Sequence, residues 1–102
     1  QIKGKKVVAF AGIGNPINFF DLLKKNNINV IKEFSFPDHY DYTNSDLKVI
    51  HKIANHQGAI AITTEKDYLR LDNTLRENIN YLKIKVEIKE NQKFVEEISK
   101  VL

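Results

Sequence analysis

The sequence predicts an α/β fold: a three-layer α/β/α sandwich around a four-stranded, mostly parallel sheet in the strand order 2-1-3-4. Three observations carry this. Two runs, Val7-Val8-Ala9-Phe10-Ala11 and Ala59-Ile60-Ala61-Ile62, are continuously apolar and flanked by Gly12 and Gly58, as strands buried on both faces of a parallel sheet are. Two further strand-like segments interleave apolar with polar residues, which places them at the periphery. Helical signatures separate all four, giving the alternation β-α-β-α-β-α-β-α, whose right-handed crossovers distribute helices over both faces.

Each element has its own local reason. After the first strand, residues 7–11, Asn15-Pro16 reads as an N-cap followed by Pro at the first helical position. It opens a helix through Phe19, Phe20 and Leu23 toward Asn26. Residues 29–36 form the second strand, with Val30 and Ile31 adjacent and Phe34 and Phe36 alternating. Thr43-x-x-Asp46 forms a capping box, Asp taking the usual Glu place, ahead of Leu47, Ile50 and Ala54, and Gly58 supplies the stop. Residues 59–62 are the third strand, and Thr64-x-x-Asp67 repeats the capping signature directly after it. Residues 72–81 are ambiguous, a short helix over 75–79 being one reading. Leu82, Ile84, Val86 and Ile88 alternate with Lys83, Lys85 and Glu87 as a half-exposed fourth strand. A last helix is expected from Phe94, Ile98 and Val101 on one stripe, with Val95 and Leu102 beside it.

Composition narrows the function classes. The 102 residues suit one domain, 1–102, and no repeat or linker-like stretch divides them. With 16 Lys+Arg, 13 Asp+Glu and 42% hydrophobic residues, the chain reads as an ordinary globular domain rather than a disordered tail. The lack of Cys excludes disulfides, thiol nucleophiles and cysteine zinc sites. No apolar run approaches the roughly 20 residues of a membrane span, and no basic segment followed by an apolar one opens the chain as a secretory signal would. Residues 34–67 carry three Lys against five acids, whereas residues 1–33 carry six Lys against two. A nucleic-acid surface would have to avoid that acidic middle third, and no nucleic-acid partner is expected. The chain has no Met and begins at Gln1, which is expected of an excised or processed piece able to hold half of an active site.

In such a sheet ligands sit outside the carboxyl ends of the strands, near the switch between strands 1 and 3. Three polar clusters fall there: Gly12-Ile13-Gly14-Asn15, Pro37-Asp38-His39-Tyr40-Asp41 and Thr63-Thr64-Glu65-Lys66-Asp67. Gly12 and Gly14 either make a plain turn or let backbone approach a phosphate at the next helix N-terminus; the third Gly of a dinucleotide fingerprint and the GxxxxGK[ST] of a phosphate-binding loop are both missing. His39 between two carboxylates is either a general base or an incidental turn residue. No metal is expected, because neither His51 nor His56 has zinc spacing to His39; both read as structural. Thr64 and Asp67 are explained by capping, and Glu65 favours a first helical turn. Lys66 opposes the helix dipole there, which calls for a phosphate, or Asp38 or Asp41, as its partner.

Residues 5–16, the stretch Phe36-Pro37-Asp38-His39-Tyr40 and Thr63-Thr64-Glu65-Lys66-Asp67, in this order, closely resemble the C-terminal domain of tetraacyldisaccharide 4′-kinases. The resemblance runs from about Gly4 to the C-terminal segment. It implies a bacterial two-domain α/β enzyme that phosphorylates the 4′-hydroxyl of a lipid A precursor disaccharide, at the cytoplasmic face of the inner membrane. It further implies that ATP and Mg²⁺ are held mainly by an N-terminal kinase domain, the partner of this one. His39 would be the catalytic histidine at the cleft, paired with an aspartate of that domain. Asp38, Tyr40, Thr64, Glu65, Lys66, Asp67, Gly12, Gly14 and Asn15 would be supports or substrate-cleft contacts, and the isolated piece would be inactive. The alternative is a non-catalytic anion- or small-molecule-binding domain using the same edge. Docking of a protein through the fourth strand is opposed by its Lys/Glu alternation.

Overall fold

The structure, a computed structural model, describes residues 5–86 and 93–100, with side-chain surroundings over residues 5–82. Its elements are β1 (Lys6–Ala11), α1 (Pro16–Lys25), β2 (Asn29–Ser35), α2 (Asn44–Gln57), β3 (Ile60–Thr64), α3 (Glu65–Arg70), β4 (Ile79–Val86) and β5 (Lys93–Lys100), with a 3-10 turn at Asn73–Leu75. The sheet order is β2-β1-β3-β4-β5. Its first four strands are parallel, in the order the sequence predicts.

β1 shows why an unbroken apolar run suits a central strand. Val8 and Phe10 join Leu47, Ile50, Ala54, Tyr68 and Leu71 on the face covered by α2 and α3. Val7, Ala9 and Ala11 join Phe19, Phe20 and Leu23 of α1 on the other. Successive side chains point to opposite faces, so a strand covered on both sides needs apolar residues at every position. Each large side chain so enclosed contributes on the order of 1.5–3 kcal/mol.

The helix ends follow their local chemistry. Thr43 and Asp46 form the complete capping box of α2, and Gly58 closes that helix in the left-handed region at φ 65°. α1 has Pro16 at its first turn, but Asn15 makes no side-chain cap bond. Between α3 and β4 there is no helix over 75–79; one 3-10 turn ends at Leu75 and Asn78, at φ 60°, leads into β4.

The C-terminal segment corrects the expected helix. Phe94, Val95 and Ile98 lie on β5, antiparallel to β4, while Val101, Leu102 and Ile88 fall outside the described residues. The ladder is irregular between Lys83 and Ile84, so Ile98 stands opposite Leu82 and Val95 opposite Ile84. A spacing of three on one strand thus meets a spacing of two on its neighbour, as at a bulge. The expected helical stripe spans the same irregularity: Phe94 and Ile98, four apart, stand opposite Lys85 and Leu82, three apart. A strand also pairs the outer backbone edge of β4, which a packed helix would leave unpaired.

Candidate active site

The carboxyl edge of the sheet is organised around a buried carboxylate. Asp67 is 0% exposed. Its Oδ1 accepts from the Gly12 backbone N–H at 3.0 Å and from the Tyr42 hydroxyl at 3.0 Å. Its Oδ2 accepts from the Thr64 hydroxyl at 2.6 Å. The expected capping box is therefore half formed: the Thr64 side chain caps the Asp67 N–H at 3.0 Å, while the Asp67 carboxylate turns across the edge to β1. Three donors satisfy it, as burial of a carboxylate requires. Burial, and then the charge of Asp67, push the Tyr42 hydroxyl far above the ordinary tyrosine range, so Tyr42 remains a donor to this carboxylate.

Gly12 is dictated by close approach. A Cβ there would stand 3.0 Å from the Pro37 carbonyl oxygen, 3.1 Å from the Tyr42 hydroxyl and 3.3 Å from Asp67 Oδ1. Its N–H is taken by Asp67, and its carbonyl accepts the His39 N–H at 3.2 Å. Gly14 is exposed, and its nearest neighbour would be Asp38 Oδ2 at 3.8 Å.

Pro37-Asp38-His39-Tyr40 is a tight turn closed by the Tyr40 N–H to the Pro37 carbonyl at 3.1 Å. His39 occupies its third position at φ 62°, a left-handed conformation that a Cβ makes unfavourable by about 1 kcal/mol. The turn is braced from beneath. The Tyr40 ring stacks on Phe36 at 4.7 Å and meets Tyr42 edge-on at 5.2 Å. The Tyr40 hydroxyl donates to Asp46 Oδ2 at 2.9 Å, a bond that raises the Tyr40 pKa. Partial burial works against ionisation of Asp46, yet bonds from the Thr43 N–H, the Tyr40 hydroxyl and the Thr43 hydroxyl hold its carboxyl below the usual range. Tyr40 is thus an anchor to the α2 N-terminus, while the His39 imidazole lies outward, its side chain 71% exposed, with Nε2 3.7 Å from Asp38 Oδ2.

The polar clusters divide between the two faces of the edge. Ile13, Gly14, Asn15, Thr64, Glu65 and Lys66 line a groove of about 460 Å³, floored by Phe19 and Leu82 on the α1 side. His39 and Tyr40 lie beyond Gly12, toward α3 and α2, while Asp38 Oδ2 stands close to Gly14. Among the described residues no carboxylate pairs with Lys66, so the expected bond to Asp38 or Asp41 is not formed. Arg70 is the residue the sequence reading missed. Its guanidinium donates to His39 Nδ1 and reaches the Gly12 carbonyl at 3.5 Å. The available signal was its place three residues after Asp67, which puts both on one side of a short helix.

Comparison with known proteins decides the family. A family profile described as Tetraacyldisaccharide-1-P 4'-kinase matches residues 1–102. The chain belongs to this family. Curated tetraacyldisaccharide 4'-kinases similar to it include one from Chelativorans sp. (strain BNC1), 43% identical over 75 residues, which are 74% of this chain and 22% of the relative. One from Pelagibacter ubique (strain HTCC1062) is 35% identical over 99 residues, 97% of this chain and 32% of the relative. One from Rickettsia typhi (strain ATCC VR-144 / Wilmington) is 41% identical over 86 residues, 84% of this chain and 26% of the relative. The chain thus spans between 22% and 32% of the length of these kinases. No solved structure matches it significantly.

Among the described residues no three His, Cys, Asp or Glu side chains are grouped to hold a metal ion, and the sequence contains no GxxxxGK[ST]. No helix among the described residues is long and apolar enough to cross a membrane.

Proposed function

We propose that this chain is the C-terminal, acceptor-side domain of a two-domain tetraacyldisaccharide 4′-kinase. That enzyme transfers the γ-phosphoryl group of ATP to the 4′-hydroxyl of the tetraacyldisaccharide 1-phosphate precursor of lipid A. An N-terminal kinase domain is the partner that holds ATP and Mg²⁺, and the complete enzyme works at the cytoplasmic face of the inner membrane. His39, paired with an aspartate of the kinase domain, orients and activates the attacking hydroxyl. Asp38 faces the same side, and the groove beside Lys66 supports an anionic group of the acceptor on the α1 side of the edge.

One observation carries the role of His39. Within a chain matched over its whole length by the kinase family, this imidazole is presented outward on a left-handed, braced turn at the carboxyl edge of the sheet. A side chain held at backbone cost and left largely exposed contributes little to packing, and such outliers cluster at working sites. In the complete enzyme, His39→Ala is expected to lower kcat by about 100-fold or more with KM for ATP little changed; an unaltered kcat would remove His39 from the reaction. The 102 residues alone are expected to transfer no phosphate, and turnover by them would overturn the two-domain reading.

A further inference from the structure

We propose that Arg70 is a positioning residue that holds His39 as the neutral tautomer with its proton on Nε2. The inference rests on His39 being the working side chain of the reaction described above. A guanidinium offers donors only and stays charged. The imidazole nitrogen facing it must therefore present a lone pair, and that nitrogen is Nδ1. The ring proton is left on Nε2, the nitrogen beside Asp38 Oδ2.

The same arginine fixes where the ring points. The His39 backbone N–H is anchored on the Gly12 carbonyl at 3.2 Å, and a second guanidinium nitrogen of Arg70 reaches that carbonyl at 3.5 Å. One turn earlier on α3, Asp67 takes the Gly12 N–H. Both backbone polar atoms of Gly12 are thus held by α3, and Arg70 joins this fixed point to the imidazole. A ring on an exposed turn would otherwise sample both tautomers and several rotamers. Held this way, His39 keeps its lone pair inward and offers its Nε2 N–H outward to the kinase-domain aspartate it pairs with, so it orients that carboxylate and the proton of the attacking hydroxyl goes to the aspartate.

The test uses the complete enzyme carrying ¹⁵N-labelled histidine. Long-range ¹H–¹⁵N correlations are recorded near pH 8, about 1.5 units above the ordinary histidine pKa, and His39 is identified by its loss in His39→Gln. A single Nε2–H tautomer is expected. In Arg70→Leu the two tautomers should mix, and kcat should fall about 10-fold with KM for ATP within about twofold. Arg70→Lys, which retains a cationic donor, should recover the single tautomer and most of the rate. An Nδ1–H tautomer in the unmodified enzyme would overturn the proposal, and so would an Arg70→Leu enzyme with both tautomer and kcat unchanged. If Arg70→Leu fails to fold, the unmodified enzyme's spectrum still decides the tautomer. Full kcat in His39→Gln would instead defeat the catalytic role of His39, while the spectrum would still report whether Arg70 sets its tautomer.

Discussion

Asp67 Oδ1 lies 3.0 Å from the backbone nitrogen of Gly12, 55 residues earlier in the chain. This bond joins the first turn of α3 to the end of β1, and through Gly12 to the turn that carries His39. Asp67→Ala would leave the Gly12 N–H and the Tyr42 hydroxyl buried without their acceptor, at a cost of about 1–3 kcal/mol for each group so stranded. Urea unfolding should show a midpoint lowered accordingly with an unchanged slope. Asp67→Asn keeps one acceptor oxygen and should lose less than half as much. Equal losses in the two variants would mean that the carboxylate is not the node described here.

The two glycines after β1 should respond differently. Gly12→Ala drives a Cβ to 3.0 Å from the Pro37 carbonyl, a backbone atom that cannot swing aside. A destabilisation of about 1–3 kcal/mol is expected, as for overpacking elsewhere. Gly14→Ala meets nothing nearer than 3.8 Å and should stay within about 0.5 kcal/mol, as surface substitutions do. Thermal melts of the two variants side by side check this, and equal shifts would refute the close approach at Gly12.

Much of this was legible in the sequence, and the parts that were not share a cause. Continuous apolar runs revealed β1 and β3 because every position of a doubly covered strand is informative. The Thr43/Asp46 box revealed the start of α2 because both partners are local. Thr64 and Asp67 have the same spacing, yet the Asp67 carboxylate serves Gly12 and Tyr42 instead, which local spacing cannot report. Arg70 meets His39 across 31 positions, and only the fold brings them together. β5 was misread because Phe94 and Ile98, four apart across the ladder irregularity, match a helical stripe. The convergence of three polar clusters on one edge was foreseen from topology; their division between its two faces depends on which side each turn leaves the sheet.

Acid should weaken the domain in two separable steps. Partial burial on α2 lowers the His51 pKa from 6.5, with Glu77 opposing the shift. The neutral ring is preferred in the folded state, so this contribution is complete above pH 6.5 and is lost as pH falls through the lower folded value. Asp46 is likewise depressed from 3.8, so its contribution is complete above pH 3.8 and disappears as pH falls through its own lower value. Stability measured by urea unfolding should therefore decline below pH 6.5 in the unmodified chain. In His51→Gln that first decline should shrink while the one below pH 3.8 persists. An identical profile in His51→Gln would show that His51 is not the group responsible.

His39 offers a separation of stability from activity. Its φ of 62° is unfavourable for a residue with a Cβ and ordinary for Gly. His39→Gly relieves that strain but loosens the unfolded chain, two effects of about 1 kcal/mol each and opposite sign. It also removes the contact with Arg70 on an exposed ring, worth little to folding. The melting temperature should therefore move by no more than a few degrees, while the complete enzyme should lose kcat as fully as His39→Ala does. His39→Ala keeps the Cβ and with it the strained backbone, so it should be no more stable than His39→Gly. A His39→Gly protein that melts far below the parent would show that the imidazole supports the fold. Its place on the turn would then be explained by packing, and the case for a working histidine would rest on the kinase assay alone.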